Sequence, residues 1–452
     1  MSDTPQTAPQ APTLGEAFFY WLKLGFISFG GPMGQIAMMH TDLVEKKRWI
    51  SEHRFLHALN FCMILPGPEA IQLAIYISWL MHGVTGAVMA GVLFFMPAFL
   101  LLSVLAGVYL AWGDVPLMQG LFYGIKPAVV AIVLFAAWRI GSKALKNSVL
   151  WGIAAAAFVA IFVFGIGFPW IVLAAALLGV IGGKIMPDKF KGGGGHGASD
   201  KQHGAAVIDD HTPTPAHAKF SWAKLGITVV AFIGIWAVAM FALSGNQALS
   251  EMGNFFTKAA FLTIGGAYAV LPYVYQGGVE QYGWLTGAQM MDGLALGETT
   301  PGPLIMVVTW VGYLGGVAKT VVANPIAAGF AGAAVATFFT FLPSFLFILA
   351  VGPVVESSRN DLKFTAPLTG VTAAVVGVIM NLAVFFAWHT FWPKATNTTP
   401  FVAPFEWFAV VVAVGAFVAL WKYKVDVMKV IGVCAVLGLG YTLAMGAIVV
   451  AR

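Results

Sequence analysis

The triplet Pro-Gly-Pro occurs twice, as Pro66-Gly67-Pro68 and as Pro301-Gly302-Pro303, each inside an apolar stretch. Proline removes a backbone donor and glycine favours bends, so neither triplet fits a smooth helix. At membrane depth a broken helix is tolerated only where protein buries it or it lines a cavity. Pro68 and Pro303 each suit the start of a helical segment. The amides of Glu69, Ala70 and Ile71, and of Leu304, Ile305 and Met306, are then unpaired donors at a positive helix end. Pro32 follows Gly30-Gly31 in the same way, and Gly265-Gly266 repeat that glycine pair. Four such ends converging near the midplane would hold a small oxyanion without a full set of buried cations. The plainer reading is a set of kinks. Duplication of both kinds of break argues for a site.

Polar residues near the breaks are the other candidates. Thr299 and Thr300 offer hydroxyls just before the second triplet. Gln35, Asn60 and Gln72 are amides within apolar segments. Lys126, in an apolar run before Pro127, could pair with an anion directly; alternatively it snorkels from a helix end. Lys23 and Lys258 read as interfacial anchors. Glu69 and Glu298 flank the breaks. Glu69 could cap its helix, carry a proton, or occupy the site until substrate displaces it. His40 and His82 lie near segment ends, where packing is the simpler role. Trp21, Trp49, Trp79, Trp284, Trp392 and Trp407 read as an interface belt.

The elements that must position these residues are apolar helices. The 452-residue chain is 59% hydrophobic and 10% charged, with mean hydropathy +0.85. A soluble domain carries about 25% charged residues, so this is an all-α polytopic membrane protein. The polar stretch Met1 to Pro12 lacks the parts of a signal peptide. Cys62 and Cys434 offer neither a disulfide framework nor metal-ligand spacing. No phosphate-cradling Gly-x-x-x-x-Gly-Lys-Ser/Thr loop occurs. No nucleophile–base set is apparent, so an enzyme is not expected. No cofactor, metal or nucleic acid is expected either.

Met186 to Ser221 is polar and glycine-rich and reads as a flexible linker. Its His196, His203, His211 and His217 are irregularly spaced, which suits a solvated linker better than a metal-sensing tract. Shifting the chain by 235 positions pairs Lys23 with Lys258, Gly30-Gly31 with Gly265-Gly266, Trp49 with Trp284 and one triplet with the other. Beyond an 11-residue insertion the shift becomes 246, pairing Gly86 with Gly332, Pro97 with Pro343 and Gly124 with Gly370. The expected organisation is a tail (1–13), a first repeat (14–186), a cytoplasmic linker (187–220), a connecting helix (221–245) and a second repeat (246–452).

In the first repeat, Ala17–Glu45 and Arg54–Met81 are interrupted. Gly86–Leu110, Gly120–Leu145, Val149–Phe164 and Phe168–Ile185 are uninterrupted. In the second, Phe255–Glu280 and Ala288–Gly315 are interrupted. Ala327–Val351, Phe364–Phe391, Phe405–Trp421 and Val427–Val450 are uninterrupted, and Trp222–Leu243 precedes them. A span needs about 20 residues, so the helix from Val149 is marginal.

If every segment spans, the basic loop from Glu45 to Arg54 lies outside, against the positive-inside rule. If each interrupted segment is a re-entrant hairpin, that loop returns to the cytoplasm. Each arm of about 12 residues reaches roughly 18 Å, enough to meet the midplane. Arg139, Lys143, Lys146, the linker lysines, Arg359, Lys363, Lys422, Lys424 and Lys429 then lie inside. Only Lys258, Lys319, Lys394 and Arg452 lie outside. We expect the re-entrant arrangement. Either model crosses the membrane an odd number of times between equivalent positions, so the second repeat is inverted. The broken helices of the two repeats would then meet near the midplane.

Phe26-Ile27-Ser28-Phe29-Gly30-Gly31-Pro32, the segment Glu45 to Trp49 and Leu65-Pro66-Gly67-Pro68-Glu69-Ala70-Ile71-Gln72-Leu73-Ala74 resemble the chromate ion transporter family. Gly265-Gly266 and Thr300-Pro301-Gly302-Pro303 resemble the second domain of its long-chain members. The resemblance spans nearly the whole chain except the tail and linker. Two departures mark the second copy: Ala267 replaces Pro32, and Leu304 replaces Glu69. The resemblance implies export of chromate across the bacterial inner membrane, giving chromate resistance, with sulfate as the isosteric competitor. Expected partners are chromate, sulfate and membrane lipid; a homodimer is left open. The alternatives are sulfate uptake or exchange and, in another class, an oxyanion-binding membrane sensor. Expected site residues are Gly30, Gly31, Pro32, Gln35, Pro66, Gly67, Pro68, Glu69, Gln72, Lys126, Gly265, Gly266, Thr299, Thr300, Pro301, Gly302 and Pro303.

Overall fold

The structure is a computed structural model that describes residues 9–29, 31–113, 115–190, 204–264, 267–357, 365–393 and 404–450. Among these the elements are helical, apart from one isolated bridge between Ile50 and Ile208. The first half contains α1 (Leu14–Ile27), α2 (Gly31–His40), α3 (Glu52–Cys62), α4 (Glu69–Trp112), α5 (Pro116–Ala144), α6 (Ser148–Phe162) and α7 (Phe168–Ile185). A connecting helix, α8 (Trp222–Leu243), leads to α9 (Gln247–Leu262), α10 (Ala267–Tyr275), α11 (Gly287–Thr299), α12 (Val307–Ala318) and α13 (Pro325–Ser357). The chain closes with α14 (Thr365–Phe391), α15 (Trp407–Trp421) and α16 (Val427–Val450). Among the described residues seven helices, α4, α5, α7, α8, α13, α14 and α16, are long and apolar enough to cross a membrane. α6 and α15, at 15 residues each, are shorter apolar helices. The architecture is that of an all-helical multi-pass membrane protein.

Local chemistry sets the helix starts, and it does so twice. Ser51 caps α3 by accepting from the Arg54 amide; its equivalent Thr286 caps α11 and closes a capping box with Gln289. A π-helical turn at Thr41–Lys46 has its counterpart at Gln276–Gln281. Behind each turn lies an aromatic cluster: Tyr20 between Trp21 and Trp49 in the first half, and Phe255 and Phe256 against Trp284 in the second.

These clusters correct the expected interface belt. Trp21, Trp49, Trp79 and Trp284 are buried at 0–5% exposure, while Trp407 is 71% exposed. A flat ring packed edge-on among others gains more from that contact than from the interface. Trp392 neighbours Phe405.

The 44-residue α4 is two helices. His82 and Gly83 leave helical geometry, Gly83 at φ +62°. A Cβ on Gly86 would lie 2.5 Å from the Ser78 carbonyl oxygen, and one on Gly91 3.0 Å from Ile75. Residues eight apart on a straight helix are about 12 Å apart, so the chain reverses here. The expected gap between Met81 and Gly86 is therefore real, and α4 comprises arms 69–81 and 84–112. The second half repeats this with α12 and α13, whose glycines Gly312 and Gly332 touch. Pro97 in α4 and Pro343 in α13 fall at equivalent positions inside the longer arms.

Polar side-chain links join the halves. The Arg54 guanidinium in α3 bonds Glu356 at the end of α13 at 2.9 Å, and the Tyr76 hydroxyl in α4 donates to the same carboxylate. The Tyr109 hydroxyl near the far end of α4 donates to Asp292 in α11 at 2.9 Å.

The linker differs from the flexible segment expected. Residues 191–203, with His196 and His203, lie outside the described residues, but the following stretch docks. Ile208 exchanges backbone bonds with Trp49 and Ser51, and Asp210 accepts from the Ser51 hydroxyl. A ring nitrogen of His217 meets the Trp79 carbonyl at 2.8 Å. His211 is exposed. Asp210 lies 3.6 Å from His53 while Asp209 accepts from the linker's own Ala206 and Asp210 amides, so local bonds hold a stretch that composition reads as free. Arg359, Lys363, Lys394 and Arg452 lie outside the described residues.

Candidate functional site

The two Pro-Gly-Pro triplets each hold a left-handed glycine, Gly67 at φ +126° and Gly302 at φ +107°. Side chains rarely adopt this region, so glycine is required at both turns. Gly67 donates its amide to the Thr263 carbonyl at 2.6 Å. Gly302 donates its amide to the Ser28 carbonyl at 3.0 Å. Ser28 and Thr263 are equivalent under the 235-residue shift. They follow α1 and α9 with matching backbones, φ −81° and ψ 72° against φ −76° and ψ 71°. Each triplet is thus clasped by the glycine-pair break of the other half.

Two amides brace the turns. Gln35 in α2 donates to the Gly302 carbonyl at 2.5 Å and to the Ser28 carbonyl at 3.2 Å. Gln72 donates to the Pro66 carbonyl at 2.7 Å. Both glutamine side-chain oxygens, with the hydroxyls of Ser28 and Ser344, are buried without a hydrogen-bond partner. A Cβ on Gly67 would come 2.4 Å from Gln72 Nε2 and 2.8 Å from Ser344 Oγ; one on Gly302 would come 2.7 Å from Ala98 Cβ. Ala98 and Ser344 are themselves equivalent and follow Pro97 and Pro343.

Helix starts face this centre. Pro68 is the N-cap of α4, with φ −76° and ψ 113°, one residue earlier than the first helical position expected. Glu69, Ala70 and Ile71 then carry the free amides of the first turn. Pro303 is likewise an N-cap, but Leu304–Met306 form a 3₁₀ turn before α12. The Met306 amide therefore bonds the Pro303 carbonyl at 2.9 Å, which removes one of the three donors expected there. α2 restarts at Gly31, at φ +67° and followed by Pro32, as the sequence implied. Gly30, Gly265 and Gly266 lie outside the described residues. Thr299 and Thr300 turn their hydroxyls onto the Leu296 and Gly297 carbonyls at 2.9 and 3.0 Å. Pro301 precedes the Gly302 turn.

Charge is distributed differently from the expectation. Lys126 in α5 lies within electrostatic reach of Asp292, the carboxylate that also accepts from Tyr109. A second cation, Arg139, lies 13 residues (139 − 126) further along α5. Its charge acts on both Glu69 and Glu298, and its guanidinium carbon lies 6.0 Å from the Tyr268 ring. Tyr268 donates its hydroxyl to Glu298. Sequence reasoning placed Arg139 with the cytoplasmic charges and passed over Tyr268, Ser28, Thr263 and Ser344. The 235-residue shift pairs Ser28 with Thr263, and that pairing was the available signal. Tyr268 and Arg139 gave none, since their equivalents Met33 and Phe385 are apolar. Among the described residues no group of three or more His, Cys, Asp or Glu could hold a metal ion.

Such an arrangement offers helix-end amides, hydroxyls and one guanidinium around two crossed turns. Helix-end amides and a guanidinium are groups that can bind an anion.

The comparisons with known proteins agree on one family. The family model "Chromate transporter" matches residues 15–180 and again 250–439. The "Chromate transport protein" of Cupriavidus metallidurans is 32% identical over 382 residues, covering 84% of each chain. The "Chromate transport protein" of Pseudomonas aeruginosa is 31% identical over 434 residues, covering 95% of this chain and 92% of that one. The "Probable chromate transport protein" of Synechococcus elongatus is 30% identical over 387 residues, covering 85% and 87%. No solved structure matches. With both halves matched by one model and relatives aligned along most of their length, this chain belongs to the chromate transporter family.

Proposed function

We propose that the protein is a secondary transporter of the bacterial inner membrane that exports chromate by alternating access, with sulfate as the competing dianion. The observation that carries this reading is the reciprocal clasp, Gly67 to Thr263 and Gly302 to Ser28. It gathers four chain breaks from two matching halves into one centre. The proposed substrate site comprises Gly31, Pro32, Gln35, Pro66, Gly67, Pro68, Gln72, Thr299, Thr300, Pro301, Gly302 and Pro303, with Glu69 beside it; Gly30, Gly265 and Gly266 belong to the same expected set. Helix-end amides read charge and size, so chromate and sulfate compete there.

In this reading residues 14–186 and 246–452 are inverted repeats and the interrupted segments are re-entrant. The shared carboxylate of Glu356 supports the hairpin: it takes Arg54 from the start of α3 and Tyr76 from the end of the first arm of α4. Both ends of that interrupted segment therefore lie at one level. A dianion leaving a cell with a negative interior gains about 2.3 kcal/mol per charge per 100 mV. The test is chromate flux in proteoliposomes under an imposed potassium–valinomycin potential. Flux toward the positive side, slowed by sulfate, is expected. Flux indifferent to the potential and to any pH gradient, or untouched by sulfate, would refute the reading.

A further inference from the structure

We infer that Arg139 is the counter-charge of the transported dianion, and that Glu69 and Glu298 are built-in competitors which hold that guanidinium until the dianion displaces them. This deepens the function proposed above and rests on it.

Position comes first. Glu69 directly follows Pro68, and Glu298 lies two residues before Thr300, so one carboxylate flanks each triplet. The Arg139 guanidinium carbon lies 6.0 Å from the ring of Tyr268, whose hydroxyl donates to Glu298, and its charge also reaches Glu69. Of the other candidate cations, Lys126 acts on Asp292, and Lys23 and Lys258 are exposed.

Commitment comes second. The other buried-end guanidinium, Arg54, is locked to Glu356 at 2.9 Å. Arg139 makes no ion pair within 4.0 Å and donates no side-chain hydrogen bond among the described residues; its nearest ring contacts are Phe135 and Tyr268. It is held near two carboxylates and bonded to neither. Glu298 is held by the Tyr268 hydroxyl, and Glu69 occupies the first turn of α4, where a positive helix end favours a carboxylate. Each carboxylate is therefore stabilised without bonding Arg139.

Charge supplies the logic. With both carboxyls ionised, one guanidinium and two carboxylates sum to −1, so a dianion added without rearrangement meets net repulsion. If it takes the guanidinium and helix-end amides, it occupies the place a carboxylate would claim. The planar guanidinium fork suits two oxygens of a tetrahedral dianion, which an ammonium does not match. The buried, unpartnered hydroxyls of Ser28 and Ser344 beside the two turns are donors of the kind the remaining oxygens need.

The signs of the effects make this testable. Equilibrium binding of sulfate and of chromate is measured by calorimetry on the purified full chain. Arg139→Gln is expected to weaken both at least tenfold, and Arg139→Lys severalfold. Glu69→Gln and Glu298→Gln are expected to tighten both severalfold. Tyr268→Phe, which frees Glu298 to claim the guanidinium, is expected to weaken them. A merely structural role would make every variant weaker, so glutamate variants that weaken binding overturn the inference. Unchanged binding in Arg139→Gln also overturns it. Gly302→Ala separates the two levels: if it loses binding while Arg139→Gln keeps it, the site stands and this inference falls. If neither loses binding, both fall. Should Arg139→Gln not fold, Arg139→Lys and Glu298→Gln decide.

Discussion

The two triplets share a backbone and differ in side chains. Both glycines are left-handed, and both donate to the carbonyl that ends the other half's first helix. Around Gly67 stand Gln72, Ser344 and Glu69. Around Gly302 stand Ala98, Gln35 from the opposite half and Leu304. Duplication kept what the chain path needs, a turn only glycine can make and a carbonyl to receive it. Side chains were free to diverge once each half could rely on the other. The first half keeps a carboxylate after its triplet, and the second keeps one before its triplet, at Glu298. The result is a symmetric frame with an asymmetric charge pattern.

The largest contrast is expected in the helices that lead into the triplets. Arg54 in α3 and Gln289 in α11 are equivalent, yet one anchors a buried ion pair and the other closes an exposed capping box. Arg54→Ala leaves the buried Glu356 with the Tyr76 hydroxyl but no counter-charge and should cost about 3–5 kcal/mol. Gln289→Ala should cost about 1 kcal/mol. Denaturation of the two detergent-solubilised variants measures the gap.

At the triplets themselves, Gly67→Ala and Gly302→Ala should each strain the turn by about 1–3 kcal/mol. Displacement of the donors should lower chromate flux about 100-fold. The two should differ in rescue. The obstacle at Gly302 is Ala98, so Ala98→Gly should restore part of the flux. The obstacles at Gly67 are the mobile tip of Gln72 and Ser344, so Ala98→Gly should do nothing there. Equal rescue of both variants would break the comparison.

The braces should differ next. Gln35 bonds two carbonyls, one of them across the halves, whereas Gln72 bonds one carbonyl in its own loop. Gln35→Leu leaves two bonds unmade and should cost about 2 kcal/mol, against about 1 kcal/mol for Gln72→Leu. Melting of the two variants in one detergent reads this.

The smallest effect tests divergence directly. Glu69→Leu gives the first triplet the residue of the second, and should leave sulfate binding intact or tighten it by about 1 kcal/mol. Leu304→Glu makes the converse change and should weaken binding by a similar amount. Weakening in both would mean that Glu69 contributes to holding the dianion.

Much of this was legible in the sequence because duplication leaves a record. The paired triplets, the 235-residue shift and the change of shift at the insertion reported the repeat and its breaks. The break before Gly86 was visible as a loss of apolar continuity, and α4 reverses there. Hydropathy alone misread Trp21, Trp49 and Trp284, since a buried aromatic cluster and an interface belt use the same residues. It also misread the second half of the linker, where Ile208 and Asp210 dock on a loop more than 150 residues away. Arg139 was hidden because a cation near a helix end satisfies the positive-inside rule wherever its side chain reaches. Tyr268 was hidden because its equivalent is a methionine, and a role confined to one half leaves no echo in the other.

The most direct test of the account is the stoichiometry of dianion binding. Radiolabelled sulfate, the chromate isostere, is titrated onto purified wild-type protein, Gly67→Ala, Gly302→Ala and the double variant. One centre built from both triplets predicts one sulfate per chain, lost in either single variant as completely as in the double. Two sulfates per chain, or half the binding remaining in each single variant, would show two independent sites and contradict the account.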